Sequence, residues 1–194
     1  MIISKTTLIA LSALALPFAG FAGFTSILVE PEPMLVDASA ISIEPANGLR
    51  MHDGKPFTGV SQKLRSDGSV AEMDSFAEGL RDGPSTMWFA DGQKAYETHF
   101  KDGLRDGISR TWWSNGHLRS QTEFVADMQE GAAWAWYPTG QNYKRHFYKN
   151  GVPYGIQQAW RKNGKLYENF EIRNGKSYGL RNANICIEVK DPEA

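Results

Sequence analysis

Four histidines, one cysteine and a recurring set of acidic residues are the side chains here that could do chemistry. His52, His99, His117 and His146 offer imidazoles for metal binding or proton transfer. Asp82, Asp106 and Glu130 offer carboxylates for acid–base work. Spacing argues against each role. The histidines fall at different phases of the chain's period, so symmetry does not gather them, and no metal site is expected. No serine has the strand–Ser–helix context of a nucleophile elbow. The acids stand 24 residues apart, each directly before a glycine, at Gly83, Gly107 and Gly131. Recurrence of that kind is turn chemistry, whereas a catalytic acid would be singular. Neither an enzyme nor a cofactor is expected. Cys186, flanked by Ile185 and Ile187, has no partner for an intramolecular disulfide or a cysteine zinc site. It reads as a small apolar residue of a last strand, with a reactive thiol as the sharper alternative.

The period decides how these residues are placed. Glycine recurs every 24 residues at 59, 83, 107, 131, 155 and 179, and again at 68, 92, 116, 140 and 164. Trp88, Trp112, Trp136 and Trp160 keep the same interval, with Leu64 standing where the first unit would carry its indole. Phe76, Phe100, Phe124, Tyr148 and Ile172 form a fourth register. Four registers in phase make this a tandem repeat chain, and repeats build extended surfaces more often than single pockets.

Each unit reads as a β-hairpin. Asp67-Gly68, Asp91-Gly92, Asn115-Gly116 and Asn163-Gly164 lie between strand-like runs and suggest type I′ turns, with Thr139-Gly140 the weak member. Gly79, Gly103, Gly151 and Gly175 mark the connections between units, and Asp127 replaces glycine in the third. Alternation along the first strand puts Trp88, Trp112, Trp136 and Trp160 on one face, as a ladder of structural positions with Gly83, Gly107, Gly131 and Gly155. It puts Phe89, Trp113, Tyr137 and Arg161 on the other face, where they are the candidate binding hot spots. The fold class is therefore all-β: an extended single-layer antiparallel sheet of tandem 24-residue hairpins. Five repeats fill 55–180, and the aberrant unit at 181–194, with Asn184 in the Trp position, reads as a capping strand and tail.

Residues 1–29 are a separate object. Lys5 is the only charge before Glu30, and Thr6 to Val29 is uncharged and apolar, with small residues around Gly20-Phe21-Ala22. The segment reads as a signal peptide or as an uncleaved N-terminal membrane anchor, so membrane association through residues 6–29 is one expectation. Either way Lys5 holds the N-terminus inside and sends the repeats outside the cytoplasm, to be periplasmic, secreted or anchored to the inner membrane. Residues 30–54, with Pro31, Pro33 and Pro45, read as a Pro-rich tether. The net charge of -1 offers no excess positive field, so nucleic acid is not an expected partner. A monomer is expected.

The order Phe-x-x-Gly, a second Gly four on, then Trp and Asn/Asp-Gly resembles MORN repeats. Phe76 to Gly83 followed by Trp88 to Gly92 carries it, as does Phe100 to Gly107 followed by Trp112 to Gly116. The variant is closest to that of the bacterial YwqK-family antitoxins. The resemblance covers roughly residues 55–180 and implies a single-layer sheet of hairpins that contacts a protein or a membrane surface. In the YwqK group it implies neutralisation of a partner toxin. The expected function is thus a non-enzymatic interaction module of the cell envelope, a scaffold or antitoxin-like inhibitor, whose partner is a toxin or an envelope protein. The alternative is a repeat that binds cell-wall glycan or a membrane surface.

Overall fold

The computed structural model describes residues 33–180. The leader, the terminal segment 181–194 and Cys186 lie outside the described residues. The chain enters through β1 (Leu35–Asp37), β2 (Ser42–Ile43), β3 (Arg50–His52) and β4 (Lys55–Pro56). Five hairpins follow: β5 (Gly59–Leu64) with β6 (Val70–Ala77), β7 (Leu80–Trp88) with β8 (Lys94–Lys101), then β9 (Leu104–Arg105) and β10 (Gly107–Trp112) with β11 (Leu118–Val125). The array continues as β12 (Met128–Trp136) with β13 (Asn142–Lys149), β14 (Val152–Pro153) and β15 (Gly155–Trp160) with β16 (Leu166–Arg173), and β17 (Lys176–Leu180). From β5 onward the strands run antiparallel in sequence order within one 14-stranded sheet, with β9 and β14 as short pairings beside β8 and β13. The all-β, single-sheet, hairpin-repeat fold read from the period is the fold observed.

The hairpin tips are not the type I′ turns expected of them. At the hairpin tips Gly68, Gly92, Gly116, Gly140 and Gly164 have positive φ, and the Asp or Asn before them does not. Phe89 N–H donates to Gln93 O at 2.8 Å and Gly92 N–H to Phe89 O at 3.1 Å, which closes a three-residue loop with glycine in its left-handed position. The Asx side chain has another task there. Its oxygen accepts the N–H two residues on, as in Asp91 with Gln93 (3.0 Å) and Asn115 with His117 (3.1 Å). Type I′ turns, with both central residues at positive φ, form the connections instead: Glu78-Gly79, Asp102-Gly103, Ala126-Asp127, Asn150-Gly151 and Asn174-Gly175. Asp127 keeps that shape without glycine, at φ 66.

Register places each repeat glycine opposite the large apolar or aromatic residue of the return strand. Gly59 faces Phe76, Gly83 faces Phe100, Gly107 faces Phe124, Gly131 faces Tyr148 and Gly155 faces Ile172 across each hairpin. Each of these glycines has positive φ, and a Cβ at Gly83 would crowd Ser75 at 3.2 Å and not the ring opposite, so the backbone shape calls for glycine. Just before these glycines the strand bulges: Phe76 pairs with Arg81 but Asp74 pairs with Ser85, so four residues of β7 span two of β6.

Residues 33–54 depart from the tether expected of them. β1 lies parallel to β5, Leu35 opposite Val60, and covers that edge of the sheet, while β2, β3 and β4 form a small separate sheet. Phe57 is buried at 2 % exposure against Phe76, ring centroids 5.7 Å apart. Arg50 N–H donates to Gly79 O and Gly79 N–H to Phe57 O, each at 2.8 Å, so this segment stacks on the first connection. Its order comes from that pairing, which local composition does not show.

The core is also placed differently from the aromatic reading. Trp88, Trp112, Trp136 and Trp160 are only half-buried, because a single layer leaves each face open. The most enclosed line crosses the strands at mid-length: Ser61, Asp74, Ser85, Thr98, Ser109 and Gln157 are all buried, in register from strand to strand. Thr98 and Ser109 hydroxyls bond to each other, and Gln157 Nε2 donates to Phe147 O (3.0 Å) and Tyr154 O (2.8 Å). Thr98 and Ser109 satisfy each other, Gln157 is satisfied by main-chain carbonyls, and Asp74 pairs with Arg81 through one oxygen while its Oδ1 has no partner.

Candidate protein-interaction surface

The surface is built from hairpins that are stitched unit to unit. At the connections Asp82 accepts Asp102 N–H at 3.1 Å, Asp106 accepts Ala126 N–H at 3.4 Å, and Glu130 accepts Asn150 N–H at 2.7 Å. Each acid reading as turn chemistry therefore caps the next unit's turn. Arg81 pairs with Asp74 at 3.0 Å and lies over the Phe100 ring at 5.3 Å. Arg105 pairs with Asp127 at 2.6 Å and lies 3.9 Å from the Phe124 centroid. Hydrogen bonding from Arg105 holds the Asp127 carboxyl below its ordinary range. The partners that hold these two arginines are 7 and 22 residues away in sequence.

At the opposite ends of the strands, the residue after the register position reaches into the next unit at Arg65, Trp113 and Tyr137. Trp113 Nε1 donates to Trp136 O at 3.0 Å, and Tyr137 Oη donates to Trp160 O at 2.9 Å. Arg65 Nη2 donates to Trp88 O in the same way. A second group stands beside each ring, six residues on, at the position where the return strand bulges. Arg119 lies 4.6 Å over Trp113, Tyr143 tilts against Tyr137 at 4.9 Å with Lys144 over Tyr143 at 4.9 Å, and Arg161 lies 5.7 Å over Tyr167. Of the candidate hot spots, Trp113, Tyr137 and Arg161 therefore stand in one strip of rings and cations. Phe89 is the half-buried first member, and the residue six on from it is Ala95. Arg119, Tyr143, Lys144 and Tyr167 belong to this strip and were not singled out from sequence; the signal for Arg119, Tyr143 and Tyr167 was the repeated six-residue offset.

The tryptophan face has its own order. Trp134 stacks on Trp136 with centroids 5.9 Å apart and planes 9° from parallel. Trp134 stands in register with Gln121 and Arg145, and Arg145 Nη2 donates to Gln158 Oε1 at 2.7 Å. The ring contacts thus join neighbours within a unit, not the expected ladder of equivalent tryptophans. Recesses open between successive tips, one lined by Trp136 with His117, Leu118, Thr139 and Gln141, the next by Trp160 with Gln141, Asn142 and Gly164.

The histidines stay apart. His52 packs on Phe57, His99 and His117 are exposed, and His146 is half-buried with its pKa lowered by burial and by Lys144. Among the described residues no three His, Cys, Asp or Glu side chains group as a metal site.

No curated protein matches this chain. MORN repeats are a non-enzymatic kind of module that generally contacts proteins or membranes. Two successive units, residues 81–102 and 105–126, match the family described as MORN repeat variant, and their start points stand one 24-residue period apart.

Proposed function

We propose that this chain is a protein-interaction module of the cell envelope, an exported MORN-repeat scaffold or antitoxin-like inhibitor of the YwqK type, acting as a monomer. The observation that supports it is the strip from Trp113 to Tyr167. Trp113 and Tyr137 are held by bonds to the next unit, and cations lie over the rings of Trp113, Tyr143 and Tyr167. Pre-set aromatic and guanidinium groups bind at low ordering cost, and Trp, Tyr and Arg dominate interface hot spots. Guanidinium and ammonium groups across the strip suit an acidic partner surface. Phe89, Trp113, Tyr137 and Arg161 are its proposed contacts, with residues 1–29 directing the repeats out of the cytoplasm.

The test is affinity purification of the tagged full chain from its native host after mild cross-linking, beside an Arg119→Ala/Arg161→Ala variant. One stoichiometric acidic protein, lost from the variant while thermal unfolding is unchanged, supports the reading. If that protein is a toxin, its activity should fall on adding the parent chain and not the variant. Recovery with wall or membrane and no protein partner overturns it.

A further inference from the structure

We propose that the tryptophan side of the last two hairpins binds an extended β-1,4-linked N-acetylhexosamine chain, one pyranose face on Trp136 and another on Trp160. This site is separate from the ring–cation strip and does not depend on a protein partner.

Three observations carry the inference. The first is a pair of adjoining open recesses. Trp136 lines an open recess of about 610 Å³ and Trp160 the next, of about 370 Å³, and the two share Gly140 and Gln141 as their common wall. The space at the tips varies along the sheet, and a Cβ at Gly68 or Gly92 would meet nothing within 4 Å. A Cβ at Gly116 would meet Gln93 Oε1 at 2.9 Å, a Cβ at Gly140 would meet His117 Nδ1 at 3.8 Å, and a Cβ at Gly164 would meet nothing within 4 Å. The gap before Gly116 is thus occupied by Gln93, and the gap at Gly164 is open.

The second is period. Equivalent residues of successive hairpins are two strands apart, about 9.5 Å, which matches within ~1 Å the repeat of an extended β-1,4-linked disaccharide. Successive rings of such a chain are flipped, so every second ring presents the same face. One same-facing ring falls on each tryptophan, and its axial C–H groups lie against the electron-rich indole face.

The third is chemistry. Around the indoles stand uncharged hydrogen-bonding groups, not a field of one sign. Gln141 Oε1 accepts from Thr139 Oγ1 at 3.2 Å, which leaves its amide nitrogen as the group to offer a ligand. Asn142 adds a second exposed amide. His117 Nδ1 donates to Pro138 O at 2.7 Å, so Nε2 is its acceptor. Amide groups of this kind complement the acetamido substituents of an N-acetylhexosamine, which also donate and accept.

The experiment titrates the full chain with N-acetylglucosamine di-, tetra- and hexasaccharides, read by indole fluorescence and by calorimetry. Binding of the tetrasaccharide about ten-fold or more tighter than the disaccharide is expected, with little further gain for the hexasaccharide, since two recesses are linked at high effective concentration. Gln141→Ala should weaken the tetrasaccharide several-fold while its melting curve matches the parent, and Trp160→Ala should reduce it to the disaccharide level. Arg119→Ala, on the strip and outside both recesses, should bind as the parent does. No binding at millimolar tetrasaccharide, equal affinity for di- and tetrasaccharide, an unchanged Gln141→Ala variant, or equal binding of cellotetraose would each overturn the proposal.

Discussion

The indole Nε1 of Trp113 donates to the main-chain carbonyl of Trp136, 3.0 Å away and one unit further along. Tyr137 does the same for Trp160, and Arg65 for Trp88. One position of the repeat, filled by three different side-chain chemistries, thus supplies a hydrogen-bond donor to the following unit. The donor matters more than the ring.

Trp113→Phe and Tyr137→Phe keep an aromatic ring and remove the donor. Each should cost about 1 kcal/mol, the net worth of one hydrogen bond, and lower the melting temperature by roughly 2–4 °C for a chain of this size. Phe89 carries no donor, so Phe89→Tyr should supply the missing bond to Trp112 and raise stability by a similar amount. Differential scanning calorimetry of the three variants decides. Unchanged melting of Trp113→Phe and Tyr137→Phe would mean that the staples contribute nothing beyond ring packing.

The connection at Ala126-Asp127 is the one type I′ turn of the repeat array with no glycine, and Ala126 sits at φ 47. Alanine in the left-handed region is disfavoured by roughly 1–2 kcal/mol. Asparagine occupies the equivalent place at Asn150 and Asn174. Ala126→Asn should therefore stabilise the chain by about 0.5–1 kcal/mol, while keeping the N–H that Asp106 accepts. Asp127→Gly relieves the next residue but deletes its pair with Arg105, so its gain should be smaller. Urea unfolding of both variants would show the order, and a destabilised Ala126→Asn would contradict the strain argument.

The period made the fold legible: glycine at fixed intervals, alternation between them and two kinds of Gly-containing reversal lead directly to stacked hairpins. Which reversal takes which turn type was not legible, because Asp-Gly suits both. Only the φ of Asp91 against that of Asp102 separates a side chain that caps from a backbone that reverses. The enclosed line through Ser85, Thr98 and Ser109 was hidden for another reason. Small polar residues look like surface until the register places their hydroxyls together. The hot-spot position was visible, whereas its second use as an inter-unit donor needs the carbonyl of a residue 23 positions away.

Thr98 and Ser109 make that enclosed line testable. Both are buried and their hydroxyls bond to each other. Thr98→Val leaves the Ser109 hydroxyl without its partner at a cost of about 1–3 kcal/mol, and Ser109→Ala does the same to Thr98. The double variant strands neither group, so it should lose clearly less than the sum of the two. A double-mutant cycle by urea unfolding measures the coupling. Additive losses would show that the hydroxyls do not depend on each other.

His146 occupies the same line in the fourth hairpin, in register with Ala133, and its Nε2 is enclosed without a hydrogen-bond partner. Around it on this face are Lys144, the Tyr148 ring at 6.5 Å and Glu168. Burial, and then the Lys144 charge, lower its pKa from 6.5, while Glu168 opposes them. A histidine whose folded pKa is depressed binds its proton more readily in the unfolded chain. Stability therefore begins to fall as pH drops below 6.5 and goes on falling until the folded form also protonates. His146→Gln lacks that proton and should flatten the stability curve across this window, while the parent keeps its slope. Chemical unfolding at a series of pH values from about 7.5 down to 5 gives the slopes directly. A parent curve already flat there would mean that His146 reaches solvent enough to protonate freely in the folded sheet, and the enclosure of its Nε2 would fall with it.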